Sequence, residues 1–121
     1  MSKANITMFV RKLSDGVSIV DIHGEINAFA ESTLMDAYTQ ATTAGARAII
    51  LNFKGLDYMN SSGIGLLVTL LISAKRQNKR LLACGLSDHY RQIFELTRLN
   101  EAISIYPSEA EALKAATAVS A

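Results

Sequence analysis

The chain has 121 residues, half of them hydrophobic, and a formal net charge of +1. This composition predicts a single domain with an apolar core, excludes a disordered or fibrous chain, and gives no electrostatic reason to expect nucleic acid or a membrane surface as partner. The one cysteine, Cys84, excludes an internal disulfide. The first nine residues lack the apolar core of a signal peptide, and no apolar run is long enough to span a bilayer. We therefore expect one cytoplasmic domain over residues 1–121, ordered from about residue 5 to about residue 117, without direct membrane insertion.

The first third of the chain predicts a hairpin followed by a helix. Residues 6–13 and 17–23 have strand composition and are separated by the turn residues Ser14, Asp15 and Gly16, which indicates an antiparallel hairpin at a sheet edge. Residues 28–43 contain neither Gly nor Pro, and their apolar side chains recur at helical spacing. Gly45 follows the predicted helix. Asn27 is the expected cap of this helix.

The middle of the chain is its most apolar part. Residues 48–53 form a compact apolar run, typical of a strand buried on both faces. Residues 64–72 predict a helix that is buried over most of its length. Its expected buried stripe is Ile64, Leu67, Val68, Leu71 and Ile72. Gly65 lies inside this helix, at a cost of about 1 kcal/mol relative to Ala, which suggests that another backbone approaches it closely.

The last part of the chain completes an alternating pattern. The helix ends in a cluster of cations, Lys75, Arg76, Lys79 and Arg80, which we interpret as a solvated helix end that complements the helix dipole. A strand at residues 81–84, a helix at 87–97, a strand at 102–106 and a helix at 108–116 follow. The order predicts an α/β fold: a mixed, mostly parallel sheet of about five strands with about four helices and the opening hairpin as its antiparallel edge.

Few residues have the chemistry of a catalytic or metal site. His23 and His89 are the only histidines and belong to no zinc signature, and Cys84 lies in an apolar strand. The Gly-x-Gly at residues 63–65 lacks both the later glycine of a dinucleotide fingerprint and the lysine of a phosphate-binding loop. We therefore expect no enzymatic activity, no cofactor and no metal ion.

Three small polar residues, Asn60, Ser61 and Ser62, stand where the central helix begins. Each has a side-chain oxygen that can accept a hydrogen bond from the free N–H groups of a helix start, so any of them can be the cap. That end of a helix also favours negative charge, so a phosphate on a serine there would be stabilised. On spacing alone, the simpler explanation of both serines is capping.

Residues 59–66, Met-Asn-Ser-Ser-Gly-Ile-Gly-Leu, resemble the signature of the anti-sigma factor antagonists of the STAS domain family, which is Met-Asp-Ser-Ser/Thr-Gly-Leu/Ile-Gly after a buried strand. Residues 24–27 and 49–53 are similar to two further segments of that family. The resemblance implies a STAS fold and a partner switch. In such a switch the unphosphorylated antagonist binds an anti-sigma factor that is also a serine kinase, phosphorylation by that kinase ends binding, and a phosphatase restores it.

Carried onto this sequence, the resemblance assigns phosphorylation to Ser61 and the partner-binding loop to Asn27, Asn60, Ser62 and Gly63. Asn27 and Asn60 stand where the family has Asp, so the capping ability remains and the charge is lost. The sequence therefore leaves three alternatives for Ser61: slow phosphorylation, phosphorylation by another kinase, or no phosphorylation. A non-switching STAS subunit, for example of a lipid-transport complex, is the alternative, and a small nucleotide-binding protein is the second alternative.

Overall fold

The computed structural model describes residues 5–13 and 16–118. Its strands are β1 (Ile6–Lys12), β2 (Val17–Ile26), β3 (Ala48–Met59), β4 (Arg80–Cys84) and β5 (Ser104–Tyr106). Its α-helices are α1 (Glu31–Thr43), α2 (Ser61–Arg76), α3 (Asp88–Leu96) and α4 (Glu109–Thr117). Short 3-10 helices lie at Ala28–Ala30 and Leu99–Glu101.

The strands form one sheet in the order β1-β2-β3-β4-β5. β1 pairs antiparallel with β2, and all other neighbours are parallel. The predicted α/β fold with an antiparallel edge is therefore confirmed. Of the predicted hairpin turn, Ser14 and Asp15 lie outside the described residues, while Gly16 has a φ of +74°.

Helices cover both faces of the sheet. The larger apolar core lies between one face and α1, α2 and α3, because alternate residues of the buried strands point to that side. A smaller core lies on the other face under α4, whose Ala112 and Ala116 contact it. The sheet residues of the smaller core are Val17, Ile19, Ala48, Ile50, Leu82 and Cys84. No helix within the described ranges is both long and apolar enough to cross a membrane.

β2 and β3 both run further than the sequence predicts. β2 ends at Ile26 rather than at residue 23, and β3 ends at Met59 rather than at residue 53. The added segments contain glycine and charged residues, but the two strands pair there in parallel, which gives part of their backbone groups hydrogen-bond partners. As a result the two strands end side by side, with Ile26 opposite Met59.

α2 buries a different face from the predicted one. Its buried residues are Gly63, Leu67, Leu70 and Ala74. Val68 and Ile72, which the periodicity placed in the core, are 40% and 52% exposed, so that part of the prediction is wrong. The expectation that the helix is mostly buried is also wrong. In so apolar a segment several stripes fit the helical period equally well, and only contact with the sheet selects one.

Candidate functional site

Two chain segments meet where β2 and β3 end. The N–H of Asn60 donates to the carbonyl oxygen of Ile26 at 3.3 Å, next to the register pair of Ile26 and Met59. The residues that follow, Asn27 after β2 and Asn60 after β3, therefore lie close together where the chain leaves the sheet. This arrangement brings together the two segments that the sequence assigned to partner binding.

Asn60 is the cap of α2. Its backbone is extended, and its Oδ1 accepts from the N–H of Gly63 at 3.0 Å. The first backbone bond of the helix runs from the N–H of Ile64 to the carbonyl oxygen of Asn60, also at 3.0 Å. Because Asn60 does the capping, that role does not account for Ser61 and Ser62, and both are exposed.

The electrostatics of this helix start favour an anion. The N–H groups of Ser61 and Ser62 precede the first helical hydrogen bond, so they have no partner within the helix. The first turn of α2 contains no acidic residue that would offset the positive end of the helix dipole. A phosphate attached to Ser61 would therefore sit in a favourable local field.

Asn27 caps a short 3-10 helix rather than α1 directly. Its Oδ1 accepts from the N–H of Phe29 at 2.9 Å, and α1 begins only after that turn, at Glu31. Phe29 is 55% exposed although it is a large apolar residue. In the sequence, the one signal for Phe29 is an aromatic residue two positions after a cap.

Gly63 is the point of closest approach between the two segments. A Cβ added to it would lie 2.2 Å from the carbonyl oxygen of Ile26 and 2.8 Å from Cγ of Met59. At Gly65, in contrast, an added Cβ would have no heavy atom within 4 Å outside its neighbours and its own helix backbone. The prediction of a close approach at Gly65 is therefore wrong, and the approach occurs two residues earlier.

Tyr90 forms a hydrogen bond with the last residue of β3. Its Oη accepts from the N–H of Met59 at 2.9 Å, and the residue is 9% exposed. Tyr90 belongs to α3, so a third element fixes the strand end that presents Ser61. In the sequence, the helical position of Tyr90 indicates burial and gives no sign that its hydroxyl contacts β3.

Ser61 stands at one end of an exposed, largely apolar stripe. The stripe is Ser61, Gly65, Val68 and Ile72, and each member precedes a buried residue of α2 by two positions. Two positions correspond to about 200° around a helix, so this stripe faces away from the core. Val68 and Ile72 lie about 10 Å and about 16 Å along the helix from Ser61. We call these four residues the exposed stripe of α2.

The remaining reactive side chains are not gathered into a site. His23 and His89 are exposed on β2 and α3, and Cys84 is buried in β4. Burial raises the pKa of the Cys84 thiol to about 11, so it is protonated at neutral pH. Across residues 5–13 and 16–118, no group of three His, Cys, Asp or Glu side chains is placed to hold a metal ion.

The sequence model of the STAS domain matches residues 9–112. An anti-sigma-B factor antagonist of Staphylococcus aureus is 30% identical over 86 residues, which is 71% of this chain and 80% of that protein. The crystal structure of an anti-sigma factor antagonist from Mycobacterium paratuberculosis has a TM-score of 0.79 at 23% identity, covering 98% of this chain and 100% of the other.

The Bacillus cell fate determinant SpoIIAA, in its phosphorylated form, has a TM-score of 0.69 at 21% identity, covering 90% of this chain and 98% of the other. At these identities the two structures establish the fold alone.

Proposed function

Because the chain belongs to the STAS domain family, we propose that it is an anti-sigma factor antagonist whose binding is controlled by phosphorylation of Ser61. The S. aureus relative carries that role in its name, and SpoIIAA has been solved in a phosphorylated form. The observation that carries the proposal is that Ser61 is exposed at the start of α2 while Asn60 provides the cap. The serine hydroxyl is thus available for modification without loss of the cap.

In the unphosphorylated state, the partner packs on the exposed stripe of α2 and on the adjoining loop. Val68, Ile72 and Phe29 supply exposed apolar area there, and exposed apolar residues that cluster on one surface are typical of binding sites. Asn27, Asn60, Ser62 and Gly63 shape the loop beside Ser61. The expected partner is an anti-sigma factor that is also a serine kinase, and a phosphoserine phosphatase resets the switch in the cytoplasm.

Phosphorylation opposes this binding through charge. A phosphoserine adds about −1.5 to −2 charges. One unit charge meeting a like charge at about 4 Å changes the interaction energy by about 4 kcal/mol at an effective dielectric near 20. Since about 1.4 kcal/mol is a factor of ten in affinity, a phosphate inside the interface is enough to end binding. The fold is unaffected, because the phosphate lies at an exposed helix start.

One observation favours a second candidate, a STAS subunit that binds its partner constitutively. Both capping residues of the site, Asn27 and Asn60, are uncharged. If a kinase needs carboxylates at these two positions, Ser61 is never modified. The protein then acts as a permanent subunit, for example of a lipid-transport complex.

The test uses wild type, Ser61→Ala and Ser61→Asp as baits in a lysate of the native cell, with retained proteins identified by mass spectrometry. We expect wild type and Ser61→Ala to retain a kinase-like anti-sigma factor and Ser61→Asp to lose it, with all three melting at similar temperatures. Gln92→Asp is the matched control, because it adds the same charge at an exposed position of α3, outside the proposed interface, and should keep the partner.

Retention of one partner by all baits, or of transport proteins only, would contradict the switch and favour the constitutive subunit. A Ser61→Asp protein that loses its partner only because it unfolds would show that the serine is structural.

A further inference from the structure

The small net charge of the chain conceals a strong separation of charge along the molecule. Six of its 12 lysines and arginines lie at the end of the sheet where β2, β3 and β4 begin. They are Lys12, Arg47, Lys75, Arg76, Lys79 and Arg80. We call these six residues the basic end.

Strand register and backbone hydrogen bonds place these cations together. Arg80 lies opposite Ala48, its N–H donates to the carbonyl oxygen of Arg47 at 2.9 Å, and the N–H of Arg47 donates to Gly16 at 2.8 Å. Lys12 lies at the same end because β1 runs antiparallel to β2, which places Lys12 opposite Ser18.

The other three cations lie in or just after the last turn of α2. Lys75 and Arg76 are in its last turn, and the N–H of Lys79 donates back to the carbonyl oxygen of Ala74 at 2.7 Å. The basic end therefore combines residues from β1, the start of β3, α2 and the start of β4.

Within residues 5–13 and 16–118, no ion pair neutralises the charges of the basic end. Five of the six residues are exposed and Lys79 is half-buried. Among the described residues, the ion pairs within 4.0 Å join Arg11 to Asp21, Arg11 to Glu109 and Arg91 to Asp88, and none includes a member of the basic end. Acidic residues instead occupy the first turns of α1, α3 and α4, which begin at the opposite end of the sheet.

We propose that the basic end docks the protein on a bilayer that contains anionic lipid. Clusters of four to eight Lys and Arg are attracted to such surfaces, and the cations here come from several elements rather than from one groove. Lipid headgroups can move laterally to match such a spread of charge. Nucleic acid fits less well, because the exposed aromatic residues Phe9, Phe29 and Tyr58 lie elsewhere and none is available for base stacking at this end.

The separation of charge also sets the orientation of the bound protein. With the basic end against the lipid, the acidic helix starts point away from it. Ser61 begins α2 at the far end of that helix from Lys75 and Arg76, so it faces the solvent. Docking on lipid therefore leaves Ser61, at the start of the exposed stripe of α2, free for a partner. The docking proposal does not depend on the proposed switch.

The test measures flotation of the full chain with vesicles of phosphatidylcholine alone and with vesicles in which roughly a third of the lipid is phosphatidylglycerol. We expect binding only to the anionic vesicles at about 0.05 M salt and its loss at about 0.5 M, because salt screens exposed charges. In the triple variant Lys75→Gln, Arg76→Gln, Lys79→Gln, affinity should fall on the order of a hundredfold, at about fivefold for each charge removed.

The matched control is Lys54→Gln, Arg91→Gln, Arg98→Gln, which has the same net charge but keeps the basic end. Thermal melts by circular dichroism establish that both triples fold. Retained binding of the control supports the proposal, while equal loss in both triples would assign the attraction to net charge and overturn it. Absence of wild-type binding to anionic vesicles, including the case in which the protein binds polyglutamate or DNA instead, would also overturn it.

A second readout reports orientation. An environment-sensitive dye is attached to Ala44→Cys, an exposed position next to the basic end, or to Ala28→Cys, an exposed position beside Asn27. The native Cys84 is buried and stays unlabelled in the folded protein. Anionic vesicles should change the emission of the dye at residue 44 and leave that at residue 28 unchanged. The reverse pattern would contradict docking through the basic end.

Discussion

Asn60 and Gly63 have separate roles at the start of α2. Asn60 supplies the capping oxygen, while Gly63 removes a side chain where the backbone of β2 passes. Together they hold the start of α2 against the end of β2 and leave Ser61 exposed. The geometry of the site therefore depends on one small residue and one amide, neither of which carries charge.

A methyl group at Gly63 should destabilise the protein. In Gly63→Ala the new Cβ would meet the carbonyl oxygen of Ile26, a backbone atom that cannot move without shifting β2. We expect the free energy of unfolding to fall by roughly 1–3 kcal/mol, as for other overpacked sites. Urea denaturation followed by circular dichroism measures this change.

Gly65→Ala is the matched control, because its methyl group enters open space. Ala is a better helix former than Gly, so this variant should gain up to about 1 kcal/mol. Equal destabilisation of the two variants would show that a glycine is needed in α2 for a reason other than the approach of Ile26.

α2 presents two opposite stripes that differ in exposure. Gly63, Leu67, Leu70 and Ala74 face the sheet, and the exposed stripe faces outward. An exposed apolar stripe contributes little to folding, so its apolar character requires another explanation. Partner binding, as proposed above, is that explanation.

Substitutions on the two stripes should separate binding from stability. Val68→Gln with Ile72→Gln should change the free energy of unfolding by no more than about 0.5 kcal/mol per site, because both residues are substantially exposed. The same variant should fail to retain the partner that wild type retains. Leu70→Ala removes a side chain that is 1% exposed and should cost 2–5 kcal/mol, which makes it the control for loss by unfolding.

Undiminished partner retention by the Val68→Gln, Ile72→Gln variant, with its stability unchanged, would place the interface on another surface.

At the scale of the whole molecule, one polar network joins the sheet edge to α4. Arg11 on β1 donates to Asp21 on β2 at 2.6 and 2.9 Å and to Glu109 on α4 at 2.6 and 3.2 Å. Asn52 on β3 donates to Asp21 at 2.8 Å. The network connects four elements at the border of the smaller core.

This network should make stability depend on acid pH. The hydrogen bond from Arg11 holds the pKa of Asp21 below its usual value, with a further contribution from Asn52, although partial burial opposes both. A carboxylate with a lowered pKa stabilises the fold above its unfolded pKa of about 3.9, and this stabilisation is lost as the pH falls through the folded pKa. Asp21→Asn should therefore be less stable than wild type at pH 7, and the difference should shrink below about pH 4.

Thermal melts of the two proteins between about pH 2 and pH 7 measure this difference. Parallel stability curves for wild type and Asp21→Asn over that range would show that the ion pair with Arg11 does not contribute.

The sequence by itself determined the local structure. Strand and helix types, their order and the hairpin edge all follow from periodicity and from residues whose preferences act over a few positions. The sequence left the cap of α2 open among Asn60, Ser61 and Ser62, and only the structure assigns it to Asn60. The motif at residues 59–66 also pointed to the family that the STAS domain match shows. These features need no information about contacts distant in the chain.

The tertiary structure decided which surfaces face inward and which side chains share one end. Residues 24–26 and 54–59 became strand because β2 and β3 continue to pair there in parallel, and Gly24 also pairs with Ile6 of β1. Val68 and Ile72 became exposed because the sheet selected another stripe of α2. The cations from β1, β3, α2 and β4 gathered at one end through strand register, which a net charge of +1 cannot reveal. In each case the physical reason is pairing or packing between segments far apart in the chain.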